Sequence, residues 1–515
     1  MSSALLAEIG RRLGEPEAVT PPAPADAEDV WGRGAAPIAV LRPRQREGLP
    51  ELVRFCAAEG IGIVPRGGGL SYTAGYLCAG GRFLLLDLRA LDRVVAIAPG
   101  YVRVEAGASW AALDRALAAR GLRSACRGPL SGRESTVGGA LSQHAAFLGA
   151  AAHGAVADGV LSLTILDGRG RVFATGAAAA GCPPFLRLFG PDLGGCFLGD
   201  AGSLGIKLEA SLRLLPRPAE EAFLSFAYPT AEAFLEAFAA LAERALASEL
   251  FGFDPAMGAI RLARARLAED LALAGAVRRR HGLVALLGVL IAGRRLLAPG
   301  EHSLHAAFEG EAPGVARAKC RAARRLLARL GGREIAPSIP RVLKSAPFPP
   351  LNVLLGPGGE RWVPVHGVLP LDRLAPAERA LRTRLAASEG ERAALGVRVA
   401  FLYLALGSHA AVLEPCLYWP DARGALHRER VEPAMLARLP EHPPNPEGRA
   451  LVARLRRELA SLLRAEGAAH FQLGRYYPWR GELDPASRAL FEALKRELDP
   501  AGILNPGALP EEPSC

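Results

Sequence analysis

Four short stretches hold most of the side chains able to do chemistry. They are Trp362-Val363-Pro364-Val365-His366-Gly367-Val368, Glu414 to Asp421, His470-Phe471-Gln472 and Gly474-Arg475-Tyr476-Tyr477-Pro478-Trp479. With only 5 Trp, 8 Tyr and 10 His in the chain, their concentration here points to a site. The guanidinium of Arg475 offers a planar fork that matches a carboxylate at two points, and Tyr476 and Tyr477 add hydroxyl donors beside it. His366 or His470 suits a base that takes a hydroxyl proton. Glu414 and Asp421 could orient a histidine or accept its imidazolium. The catalytic set expected is therefore His366, Arg475, Tyr476, Tyr477 and His470, with the choice of base between the two histidines left open. Trp362, Trp419 and Trp479 read as core.

A second set binds through main chain. Ile61 to Tyr76 runs Ile-Gly-Ile-Val-Pro-Arg-Gly-Gly-Gly-Leu-Ser-Tyr-Thr-Ala-Gly-Tyr. Glycine lets backbone approach a ligand, and successive N–H groups in such a loop can cup an anion such as a pyrophosphate. Neither familiar phosphate loop fits. Tyr72 stands where a dinucleotide G-x-G-x-x-G pattern needs its third glycine, and no Gly-Lys-Ser/Thr occurs. Asp87 then reads as the end of a strand. Further glycine clusters follow at Ser135 to His144, His153 to Val160 and Phe197 to Lys207. Four such loops suggest a long ligand laid across them.

The elements that position these groups follow from apolar periodicity. Ala36 to Pro43 reads as a strand and Gln45 to Glu59 as an amphipathic helix, then come the Ile61 to Val64 strand and the glycine loop. Strands are expected at Phe83 to Leu88, Val94 to Ala98, Tyr101 to Glu105, Leu161 to Leu166 and Leu208 to Leu215. Ser109 N-caps a helix to Arg120. Glu17 to Ala27, rich in Pro and Ala, reads as a loose lead-in. Beyond Pro218, helices at Ala231 to Ala247, Pro313 to Leu330, Ala375 to Glu389 and Gly448 to Glu466 alternate irregularly with strands at Phe223 to Phe226, Val284 to Ile291 and Val399 to Tyr403. Helices and strands not interleaved one for one make an α+β pattern.

Composition narrows the class. The 515 residues, half apolar and 22% charged, suit a globular protein of two or three domains. The net charge of +10 is spread along the chain without a Lys-rich tail, which argues against nucleic acid as a partner. Eight scattered cysteines without a C-x-x-C pair suit reduced thiols. The longest apolar run, Leu283 to Ala292, is short of the ~20 residues a membrane helix needs, so no transmembrane segment is expected. No signal peptide is evident, and the expected address is cytoplasmic, with the inner membrane face as an alternative.

The order of these motifs resembles the FAD-binding domain of the vanillyl-alcohol oxidase/p-cresol methylhydroxylase flavoproteins. The resemblance covers Pro37 to Pro218 and resumes at Leu498-Asp499-Pro500-Ala501-Gly502-Ile503-Leu504-Asn505-Pro506-Gly507. It implies an α+β fold: a two-subdomain p-cresol methylhydroxylase (PCMH)-type FAD-binding domain over residues 33–218, after a lead-in at 1–32. An α+β cap would follow at 219–497, with a tail at 498–515 returning to the FAD domain. The cofactor implied is FAD. Its contacts would come from Pro65, Arg66, Gly67, Gly68, Gly69, Leu70, Ser71, Thr136, Gly138, Gly139, His144, His153, Gly154, Gly202, Gly205, Ile206 and Asn505. Some family members attach flavin to a histidine where this chain has Gly69, which closes that route; a cap tether at His366 is the alternative.

The activity implied is hydride transfer from a small D-lactate-like 2-hydroxy acid to flavin. A phenol oxidase of vanillyl-alcohol oxidase type and a non-catalytic flavin-binding subunit are the alternatives. The His-rich metal stretch of lactate and glycolate relatives is missing. No metal is expected, although His409, Glu414 and His427 fall in the corresponding region. The partners expected are a small-molecule substrate and an electron acceptor (oxygen, quinone, cytochrome or electron-transfer protein), with a homo-oligomer open.

Overall fold

A computed structural model describes residues 3–264, 275, 278–280 and 300–512. The strand expected at Val284 to Ile291 lies outside the described residues. Among those described, three sheets organise the chain.

The first sheet has the order Val19–Thr20, Val40–Leu41, Phe83–Asp87, Gly62–Arg66, and its last three strands are parallel. The run Phe83-Leu84-Leu85-Leu86 is buried on both faces, as a parallel strand requires. Helix Leu49–Glu59 makes the crossover, buries Leu52, Val53 and Cys56, and ends at Gly60 in the left-handed region at φ 60°. The lead-in is not loose. Helix Ser3–Leu13 packs Ile9 and Leu13 into the same core, and Val19–Thr20 pairs antiparallel with Val40–Leu41.

The second sheet is antiparallel and runs Val94–Ala98, Tyr101–Glu105, Ile206–Pro216, Val160–Leu166, Val172–Ala174, with Leu122–Ser124 paired to Ile206–Pro216. Helix Trp110–Ala118, capped by Ser109 as expected, packs Trp110, Leu113 and Leu117 beneath it.

The third sheet is antiparallel and carries the cap. Its order is Arg333–Ile335, Glu220–Tyr228, His302–Gly310, Glu249–Phe253, Arg398–Leu406, Ala410–Trp419, Arg361–Pro364, with Gly367–Pro370 also paired to Ala410–Trp419. Strand side chains alternate between faces. Ala411, Leu413, Leu417 and Trp419 pack with Phe401 and Tyr403 in one core, which also holds Phe234, Phe238, Leu455 and Leu459 from helices Ala231–Glu243 and Pro446–Ala465. Phe251, Phe253, Leu402, Leu404, Val412 and Tyr418 belong to a separate cluster and turn toward the glycine loops.

The chain then returns to the first two sheets, starting before Leu498. Helix Pro485–Leu498 already sets Phe491, Leu494 and Leu498 against the second sheet's core. Ile503 and Leu504 run beside Ile63, with the Ile63 N–H donating to the Ile503 carbonyl at 2.7 Å and the Asn505 N–H to the Ile63 carbonyl at 2.8 Å.

Candidate functional site

The glycine loops interlock before they meet any ligand. A Cβ on Gly68 would stand 2.3 Å from the Glu134 carbonyl oxygen, one on Gly67 2.1 Å from Thr136 Oγ1, and one on Gly202 2.7 Å from Pro65 Cγ. Thr136 N-caps the short helix Val137–Ser142 by accepting from the Gly139 N–H at 3.2 Å. The loop N–H groups of Gly67, Gly68, Gly69 and Leu70 find no acceptor among the described residues. Buried backbone donors are normally satisfied, so this row is suited to an anionic ligand. Arg66 closes the base of the loop, paired to Asp26 at 2.7 Å and Asp87 at 3.0 Å. Asp87 thus does more than end a strand, since it also holds Arg89 at 2.7 Å.

These loops form one wall of a cavity of about 770 Å³ whose opposite wall is the cap sheet. That size lies within the roughly 300–1,000 Å³ of cofactor and ligand sites. Of the expected cofactor contacts, Pro65 to Ser71, Thr136, Gly138, Gly139, Gly202, Gly205 and Ile206 line it. Together with the unmet N–H row they fit the pyrophosphate and ring system of FAD. His144, His153, Gly154 and Asn505 do not line it. Asn505 stands behind, its Nδ2 donating to the carbonyls of Gly75 at 2.9 Å and Ala201 at 2.6 Å, and so ties two lining loops together. His153 faces the domain junction, where burial and the nearby Arg123 press its pKa down to about 4.

Two of the titratable groups on the cap side are set by strand register. Pro364 pairs with Cys416 and Gly367 with Leu413, which puts His366 opposite Glu414. Pro415, opposite Val365, has no N–H to return, so the Val365 N–H donating to the Pro415 carbonyl at 2.9 Å is the bond that remains beside this pair. The His366 N–H points away from that strand and donates to the Tyr477 hydroxyl at 2.8 Å, and His470 Nδ1 donates to the His366 carbonyl at 2.7 Å. His366 Nε2 lies 3.9 Å from Glu414 Oε2, both line the cavity, and His366 Nδ1 has no hydrogen-bond partner among the described residues. Burial dominates both titrations. It lowers His366 to about 3, helped by Arg456 and His470, and raises Glu414 to about 7. Near neutral pH the imidazole is uncharged and the carboxyl is poised to exchange a proton.

Arg475 is not where an anion clamp belongs. Its guanidinium turns from the cavity and donates to the Ala74 carbonyl at 2.8 Å, Asn505 Oδ1 at 2.7 Å and the Pro506 carbonyl at 2.7 Å. The Pro506 carbonyl and the Asn505 side chain of the returning tail, with the Ala74 carbonyl, satisfy the fork without a ligand. Tyr476 and Tyr477 are likewise behind the wall: Arg456 stacks 4.0 Å from the centre of the Tyr476 ring, and Tyr477 lies flat on His470 at 4.1 Å. His470 does not reach the lining either. Only His366 of the five expected catalytic residues faces the cavity.

The cationic group that faces it from the cap is Arg261, on helix Pro255–Arg264. Its guanidinium sits 5.8 Å from the centre of the Phe253 ring, and no carboxylate among the described residues is within ion-pair range. The other lining cations, Arg66 and Lys207, are already paired, the latter to Asp200 at 2.6 Å. Nothing in the sequence flagged Arg261, since one Arg among many on an amphipathic helix carries no motif. Ile339, Val342 and Leu343 from helix Ser338–Ser345 complete an apolar wall with Phe251, Phe253, Trp362, Tyr418 and Phe471. Among the described residues no three His, Cys, Asp or Glu side chains could hold a metal, so His409, Glu414 and His427 do not form the cluster their spacing allowed.

Residues 37–176 match the FAD binding domain model, and residues 479–509 match the C-terminal domain of FAD linked oxidases. Over 205 residues the chain is 28% identical to the glycolate oxidase subunit GlcD of Bacillus subtilis (strain 168), covering 38% of this chain and 41% of that protein. It is 28% identical over 234 residues to the D-2-hydroxyglutarate dehydrogenase of Xanthomonas citri pv. viticola, covering 42% and 46%. The chain thus spans under half the length of these curated relatives. The solved structure of p-cresol methylhydroxylase with substrate bound superposes with a TM-score of 0.65 at 16% identity, over 98% of this chain and 96% of that one, which is a likeness of fold.

Proposed function

We propose that the chain, whose residues 37–176 and 479–509 match an FAD binding domain and the C-terminal domain of FAD linked oxidases, is an FAD-linked oxidoreductase that oxidises the CH–OH carbon of a 2-hydroxy acid with a bulky apolar side chain. The observation that carries this reading is the grouping of Arg261, Glu414 and His366 on a cap-side wall whose other side chains are mostly aromatic and aliphatic. FAD, held by Pro65 to Ser71, Thr136 to Gly139 and Gly202 to Ile206, supplies the acceptor for a hydride. Arg261 takes the carboxylate in its planar fork. Glu414 accepts the hydroxyl proton, its pKa of about 7 matching the task at neutral pH. Neutral His366 borders the gap that a hydroxyl oxygen can bridge, its backbone fixed by Tyr477 and His470. The apolar wall excludes water and favours a side chain larger than that of lactate.

The aromatic wall also favours a second reading, a 4-alkylphenol whose phenolate sits on Arg261. Anaerobic bleaching of the bound flavin separates the two. D-2-hydroxy acids with aryl or long alkyl side chains should bleach it fastest and lactate slowly. Bleaching by 4-alkylphenols alone selects the second reading, and bleaching by neither leaves a flavin-binding subunit without its own substrate. Arg261→Lys should damage kcat/KM nearly as much as Arg261→Ala, on the order of a hundredfold, because a lysine keeps the charge and loses the two-point geometry. Flavin content should be unchanged in both.

A further inference from the structure

One part of the surface has its polarity inverted. In the loop from Gly181 to Gly195, Phe185, Leu186, Leu188, Phe189 and Leu193 are exposed, Leu188 to 64%. They are five of the nine large apolar side chains exposed among the described residues. The loop's two charged side chains, Arg187 and Asp192, are half-buried and paired to each other at 2.8 Å. A loop in water is normally built the other way round, with charge outward and apolar groups inward.

The loop is also held in shape and does not collapse on the core. The Ala177 N–H donates to the Leu186 carbonyl at 2.9 Å, Arg187 Nη1 to the Ala157 carbonyl at 2.9 Å, and the Gly195 N–H to Asp192 Oδ1 at 2.9 Å. Pro183, Pro184 and Pro191 stiffen it further. Phe185-Leu186 and Leu188-Phe189 therefore stand on either side of a tethered Arg187 as a preformed apolar tip. It follows closely in the chain on Val172–Ala174, the edge strand of the second sheet, whose Val172 is itself 49% exposed.

We infer that this tip inserts into the headgroup boundary of an anionic lipid surface and seats the protein there as a peripheral, monotopic enzyme. A lipid surface fits better than a protein partner for three reasons. The loop's own charges are neutralised internally, so insertion strands no ion. Its composition is Phe and Leu, without the Trp, Tyr and exposed Arg that carry protein interfaces. The chain's net charge of +10, spread along its length, adds a general long-range attraction to anionic headgroups. No helix among the described residues is long and apolar enough to cross a membrane, so the loop would serve as an anchor on one leaflet.

The test uses the full-length, flavin-loaded protein and co-sedimentation with vesicles of phosphatidylcholine and phosphatidylglycerol mixed three to one, against pure phosphatidylcholine. The wild type should pellet with the mixed vesicles and much less with the neutral ones. The double variant Phe185→Ser, Phe189→Ser should partition at least about tenfold more weakly, with flavin content and Tm unchanged. If that pair disturbs folding, Leu188→Ser with Leu193→Ser repeats the test on the other side chains. A wild type that stays in solution with both vesicles overturns the proposal, as does a folded double variant that pellets like the wild type. Light scattering adds one more overturning result: a wild-type oligomer that the variant dissolves, without lipid binding, would make the loop a contact between copies of the chain.

Discussion

At the scale of single residues, Glu414 is the most informative position. It is a carboxyl on the apolar face of a strand, and its ionised form is disfavoured by burial up to about pH 7. If it accepts the substrate proton, kcat/KM should rise with pH through about 7 and flatten above. Glu414→Gln should lower the plateau by about a hundredfold or more and remove that inflection. The linked effect on stability has the opposite sense. Because the folded-state pKa is raised above the ordinary value of 4.5, its stabilising contribution is complete below that value and is lost as pH rises through 7. Thermal melts of the apoprotein at pH 8 should therefore show Glu414→Gln more stable than wild type, by at most about 3 kcal/mol. Arg475 should behave in the reverse way. Arg475→Ala strands several buried acceptors and should cost about 2–4 kcal/mol and weaken flavin retention. Its kcat/KM per bound flavin should stay within a few-fold of wild type, and a hundredfold loss with normal stability would restore the clamp role to it.

Among elements, the glycine loops act through contacts with one another. Gly68 has been placed in the wall of an anion cradle, yet what a side chain there meets first is the Glu134 carbonyl. Gly68→Ala alone should therefore push the 131–135 turn away and cut flavin occupancy of the purified protein to a minor fraction, measured by absorbance after acid release. Gly68→Ala with full flavin content would show that the turn can yield. The cap strands follow the same logic. Pro415 removes one donor opposite Val365, and the neighbouring pair in the register is His366 with Glu414.

For the whole molecule, the second and third sheets are joined by a buried ionic knot. Lys344, 1% exposed, contacts Glu309 at 2.5 Å and Glu249 at 3.1 Å, while Arg123 reaches Glu309 from the second sheet at 2.5 Å. The Gly149 N–H closes the knot on Glu249 at 2.7 Å. Burial opposes charge on Glu309, but Lys344 and Arg123 prevail and hold it down at about 2. A depressed carboxylate contributes stability above its ordinary pKa of 4.5 and loses it as pH falls toward 2, so acid should loosen the junction first. Lys344→Ala should cost about 3–5 kcal/mol, because it leaves buried carboxylates short of a cation. Differential scanning calorimetry checks this, and a loss below 1 kcal/mol would mean that water replaces the lysine.

What the sequence determined by itself is local and continuous. The glycine loops, Ser109 as a helix cap, the apolar strand Phe83 to Leu86 and the FAD-binding domain all rest on neighbours in the chain, whose spacing expresses backbone geometry directly. His366 was legible as one of the scarce Trp, Tyr and His side chains gathered into a few short stretches. Tertiary structure alone decided which polar groups face the cavity. Arg475 and Arg261 are chemically the same residue type; the first is consumed by carbonyls of a tail that returns to the first sheet, and the second is left facing the cavity by the fold of a distant helix. Glu414 was visible as a residue but not as a titrating one. Its elevated pKa comes from burial by strands far apart in sequence, a long-range desolvation that no local spacing encodes.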